Sequence, residues 1–102
     1  MKLNLNERFA ILQIIPKEGN FATLKVVNNL RLILAPSEAE YKEFGITAEG
    51  EMLRWNDKGQ EEREIKIGEK ATDVIVEALK KLDEDKKLTQ SQFSIYEKFN
   101  GI

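Results

Sequence analysis

Pro16 and Pro36 divide the first 45 residues into pieces that cannot run into one another as helix. Proline lacks a backbone donor and pushes the residue before it out of helical backbone. Ahead of Pro16, Leu5, Phe9, Leu12 and Ile15 recur at helical spacing with Ile11 beside them. Asn4 or Asn6 can cap the start, so a first helix is expected from about Glu7 to Ile15. Lys17-Glu18-Gly19-Asn20 reads as a turn whose last residue caps a second helix, Phe21 to Leu34. On its wheel Lys25, Asn28, Asn29 and Arg31 fall on one side, and Leu24, Val26, Val27, Leu30, Ile33 and Leu34 fill the other, as in a core element. Leu32-Ile33-Leu34 leaves a short strand as the alternative at its end. Beyond Pro36, Ser37-Glu38-Ala39-Glu40 has the form of a capping box. Gly45 followed by Ile46 has the form of a left-handed helix stop, which ends a third helix at Phe44.

The period then changes. Leu53 and Trp55 alternate with Met52, Arg54 and Asn56, and Arg63, Ile65 and Ile67 alternate with Glu62, Glu64 and Lys66. With Asn56-Asp57-Lys58-Gly59 between them, the two runs are expected to pair as a β-hairpin, with Leu53, Trp55, Ile65 and Ile67 facing the core. Trp55 would then pack beneath the hairpin on the next helix. That fourth helix follows from the stripe Ala71, Val74, Ile75, Ala78, Leu79 and Leu82, and runs from about Lys70 to Leu82. Asp83 to Lys87 reads as a charged loop. Thr89-Gln90-Ser91-Gln92 is a second capping box with Leu88 and Phe93 as its staple, opening a fifth helix that carries Phe93, Tyr96 and Phe99 and ends near Asn100-Gly101.

The expected fold class is α+β and mainly helical: a winged-helix-like three-helix unit (1–45), a β-hairpin (46–68) and two added C-terminal helices (69–102) in a single domain. A chain of 102 residues with 41% apolar and 33% charged residues has room for one core and enough hydrophobicity to offset ordering entropy.

The residue inventory excludes much chemistry. There is no Cys and no His, which removes disulfides, thiolate nucleophiles, the commonest zinc, copper and haem ligands and the usual neutral-pH general base. The isolated glycines form no phosphate loop, nucleophile elbow or dinucleotide fingerprint. Asp83-Glu84-Asp85 sits in too short a segment for a calcium loop, and Asn56-Asp57-Lys58-Gly59 is explained as a turn. No catalytic, cofactor or metal site is therefore expected, and a carboxylate-based hydrolase would rest on nothing more than the abundance of acids. The first residues lack the apolar run of a signal peptide, and no segment approaches a membrane span, so a cytoplasmic location away from membranes is expected.

The segments Leu5-Asn6-Glu7-Arg8-Phe9, Pro16-Lys17-Glu18-Gly19-Asn20-Phe21, Trp55-Asn56, Ile67-Gly68-Glu69-Lys70-Ala71-Thr72 and Tyr96-Glu97-Lys98-Phe99 resemble those of a family of small phage and prophage proteins of low-GC bacteria, to which no activity is attached. The resemblance spans nearly the whole chain and implies an origin but no site residues.

Three helices followed by a charged hairpin is also the order of a winged-helix domain, whose third helix usually enters the major groove. Charge argues against that use. The third helix sets Glu38, Glu40 and Glu43 against Lys42, and from Glu49 to Glu69 seven acids oppose Arg54, Lys58, Arg63 and Lys66, which would repel phosphate. The expected function is a non-catalytic interaction module that binds a protein partner or a second copy of itself, with Tyr41, Phe93, Tyr96 and Phe99 as interface aromatics. Phe93, Tyr96 and Phe99 should be mostly buried, against the fourth helix or across a dimer. The alternative is a nucleic-acid-binding regulator using a non-standard surface of Lys25, Arg31, Lys80, Lys81, Lys86 and Lys87, although Asp83, Glu84 and Asp85 largely cancel the last four.

Overall fold

The computed structural model describes residues 1–101. In chain order the elements are β1 (Lys2–Leu3), α1 (Leu5–Ile14), α2 (Phe21–Leu34), α3 (Glu38–Phe44), β2 (Thr47–Glu49), β3 (Met52–Arg54), a 3-10 turn (Asp57–Gln60), β4 (Arg63–Glu64), α4 (Glu69–Glu84), a second 3-10 turn (Gln90–Gln92) and α5 (Phe93–Asn100). The protein has a mainly helical α+β fold, with five α-helices and two small two-stranded ladders among the described residues.

Local signals set most helix ends. The Asn4 side chain accepts from Glu7 N, and the Glu7 carboxylate accepts from Asn4 N, so α1 begins two residues before the expected start. Asn20 caps α2 by accepting from Thr23 N at 2.8 Å, and Ser37 and Glu40 form the reciprocal box that opens α3. Gly45 is left-handed (φ 59°) and Ile46 N donates to Tyr41 O, closing α3 at Phe44. α4 runs through Asp83 and Glu84, two residues beyond the end its apolar stripe predicts. It stops only where Lys86 turns left-handed and Lys87 N donates back to Leu82 O.

α1 lies at the centre and packs on α2, α4 and α5, while α2 and α5 both pack on α4. The core is built from Leu3, Ala10, Ile11, Ile15, Val27, Leu30, Leu34, Ile75, Leu79 and Ile95. On α5 the fully buried residue is Ile95, which the sequence reading had passed over in favour of the aromatics.

The strand pairing differs from the expected hairpin. Met52–Arg54 folds back on Thr47–Glu49 (Glu49 opposite Met52), because Gly50, at φ +63°, opens a two-residue loop immediately before it. Arg63–Glu64 pairs instead with the N-terminal Lys2–Leu3, and Ile65 N donates to Met1 O at 2.8 Å. The segment Asn56 to Gly59 opens a 3-10 turn rather than joining two strands. Asn56 N donates to Phe44 O, its Nδ2 donates to Glu43 O, and its Oδ1 accepts from Lys58 N. Gly59 is needed there, since a Cβ would lie 2.3 Å from Trp55 Cδ1. Consequently Leu53 is exposed, Trp55 is half-buried against Phe9 of α1 rather than on α4, and only Ile65 and Ile67 of the expected core face pack on the core.

Candidate interaction surfaces

Two charged side chains in the interior, Glu7 and Arg8, fix how the helices sit. Arg8 holds the C-terminal end of α2 against α3. Its Nε donates to Leu34 O (2.9 Å), its Nη2 to Ala35 O (3.2 Å), and its two Nη groups grip the Glu40 carboxylate at 2.8 and 3.1 Å. The Arg8 hydrogen bond outweighs burial and holds the Glu40 carboxyl at a pKa of about 2. Arg63 extends the cluster to Glu43 at 2.8 Å and lies 4.4 Å above the Phe44 ring. On the other side Lys98 of α5 donates to Glu7 at 2.7 Å, to Lys2 O at 2.9 Å and to Glu62. Burial pushes the Glu7 carboxyl up, but the bonds from Lys98 and Asn4 outweigh it and the net shift is down. These charges are consumed in holding elements together. Among the described residues no cluster of three or more metal-ligating side chains occurs.

With Val27, Leu30 and Leu34 buried, the opposite face of α2 points to solvent. It carries Phe21, Lys25, Asn28 and Leu32, four, three and four residues apart, within about 60° of one another on a helix of 3.6 residues per turn. Phe21 is 83% exposed and Leu32 80%, the two most exposed large apolar side chains of the described chain. Between Glu18 and Glu38 the sequence has no carboxylate, in a chain with 18 acids, so Lys25 and Arg31 are the only charged side chains of α2. This stripe was legible on the wheel, where Leu32 falls among the polar residues. Sequence reasoning assigned α2 to the core and did not single out Phe21 or Leu32.

A second exposed region lies at the β2–β3 hairpin. The β2–β3 hairpin is exposed along its whole length, with Met52 at 68%, and it bounds a cleft of about 260 Å3 against α1. Asn6, Phe9, Gln13, Glu51, Met52, Leu53 and Trp55 are among its lining residues. Phe9 and Trp55 meet there with ring centroids 5.3 Å apart.

The sequence-predicted site residues are not brought to one place. Phe93 and Tyr96 line an apolar depression of about 310 Å3 with Leu88, Thr89, Gln90 and Glu97. Phe93 is 59% exposed in the single chain, so it is not buried against α4. The turn Gln90–Gln92 directs α5 so that Ile95 enters the core and Phe93 does not. Tyr96 and Phe99 are half-buried on the core, and burial, with Asp83 beside the hydroxyl, raises the Tyr96 pKa. Tyr41 is exposed on α3, which packs on the 57–60 turn and is remote from α5 in the packing. Lys25 and Arg31 are exposed on α2, and Lys80, Lys81, Lys86 and Lys87 are exposed at the end of α4, interleaved with Asp83, Glu84 and Asp85.

No protein-family model, curated protein or solved structure matches the chain. No helix among the described residues is long and apolar enough to cross a membrane.

Proposed function

We propose that this chain is a non-catalytic protein-interaction module of the cytoplasm whose contact face is the outer stripe of α2. The observation that carries the reading is the near-complete exposure of Phe21 and Leu32 on one side of a helix whose other side is core. The two stand about 16 Å apart on this face with Lys25 and Asn28 between them, and large apolar side chains fixed in water on a rigid helix and rimmed by polar groups are the kind of anchor an interaction surface uses. The resemblance to phage and prophage proteins adds a setting, particle assembly or host interference, in which small binding modules without chemistry are at home.

Affinity capture with the native chain and with a Phe21→Ser/Leu32→Ser variant tests the proposal. Both residues are exposed, so the variant keeps its fold and loses the partner. Equal capture of the same partner by both would overturn the reading.

A second reading, a nucleic-acid-binding regulator, is supported by the lack of carboxylates from residue 19 to 37 together with Lys25 and Arg31. Two cations release counterions from about two phosphates, which predicts weak binding whose logarithm falls with the logarithm of salt at a slope near −1.8. Titration with mixed DNA and RNA at low salt tests it, and the absence of binding there retires it.

A further inference from the structure

We infer that the partner of the α2 stripe is the Trp55 cleft of a second copy of the chain, so that copies join head to tail. The inference rests on the interaction reading above and names the occupant of that surface. Phe21 is a phenyl ring in water at the start of α2, and the cleft beside the hairpin is a cavity of about 260 Å3 that offers the rings of Phe9 and Trp55 and the exposed Met52 beside the polar Asn6, Gln13 and Ser91. Each supplies what the other lacks, a projecting apolar knob and an aromatic-lined recess.

Charge selects the same pairing. The stripe has Lys25 one turn after Phe21 and no carboxylate on its helix, while the rim of the cleft carries Glu51. Seating Phe21 in the cleft brings the Lys25 ammonium to the carboxylate side of the hairpin. Two α2 stripes facing each other would instead set like charges together. Because knob and recess are different surfaces of one molecule, the contact is heterologous: a copy bound through its stripe still offers its cleft, and assembly proceeds head to tail, as open chains or as a closed ring. A single helix face in a small cleft is a limited contact, so the association is expected in the weak, transient class.

The test uses two variants altered at exposed positions, confirmed as folded by circular dichroism: Phe21→Ser/Leu32→Ser, which removes the knob, and Glu51→Lys/Met52→Ser, which spoils the recess. Sedimentation of the native chain is expected to show mass rising with concentration, with an association about twofold to fivefold weaker in high salt than in low. Trp55, the only tryptophan, should report the same transition by its fluorescence. Each variant alone should remain monomeric. Mixed in equal amounts they should form a one-to-one pair and nothing larger, since one sound stripe meets one sound cleft. Two variants that stay monomeric on mixing, or a recess variant that assembles like the native chain, would overturn the inference. A native chain that is monomeric at every concentration would also overturn it. In that last case, a foreign partner captured through Phe21 would leave the interaction reading standing.

Discussion

Both faces of α2 carry large apolar side chains, and these have opposite fates. Val27, Leu30 and Leu34 lie in the core against α1 and α4, whereas Phe21 and Leu32, no less hydrophobic, stand in water. α5 repeats the contrast on a smaller scale, with Ile95 buried and Phe93 exposed. The lesson is that hydrophobicity alone does not assign a side chain to the interior. The neighbouring elements cover one stripe of each helix, and an apolar residue outside that stripe stays in solvent.

The sharpest way to break this contrast is to loosen the clamp that sets α2 in place. Arg8→Ala removes the buried donor to Leu34 O and Ala35 O and leaves the Glu40 carboxylate with only Ser37 N and Arg63, and is expected to cost about 3 kcal/mol, read as a shift in the urea midpoint. Next comes the inner face itself. Leu30→Ala opens a cavity among fully buried neighbours and should lower stability by about 2–5 kcal/mol in the same measurement.

Acid should act more gently and through the same clamp. Because the Glu40 pKa is depressed to about 2, its contribution is complete above the ordinary carboxylate value of 4.5 and is lost as the pH falls from there to about 2. Glu7, also lowered, adds in the same sense. The melting temperature of the native chain should therefore fall across that window more steeply than that of Glu40→Gln, which has no proton to take up at this position. The smallest effect belongs to the outer face, where Leu32→Ala should leave the urea midpoint unchanged within about 0.5 kcal/mol. A large loss there would place Leu32 in the core and dissolve the distinction between the faces.

The helices were legible because their signals are local. Asn20, the Ser37–Glu40 box and Gly45 act within four residues of themselves, and the stripe through Ile75 and Leu79 is a matter of spacing. The ladders were not legible. Alternation marked 52–56 and 62–67 as extended, but it is silent on partners, and the run 63–64 found Lys2–Leu3, a segment too short to show any period. The aromatics of α5 fared likewise: Phe93, Tyr96 and Phe99 share a helix, yet their burial was set by how α5 is aimed.

The sequence by itself therefore determined the mainly helical character, the helix limits to within a few residues and the lack of Cys and His chemistry, because composition, capping and periodicity are properties of neighbouring residues. Only the tertiary structure decided that Glu7 and Arg8 are buried, that Lys98 reaches Glu7 from the far end of the chain, and that Phe21 and Leu32 face outward. Those outcomes depend on which elements meet, and that is settled by the simultaneous burial of apolar stripes and pairing of charges across the whole molecule rather than by any one segment.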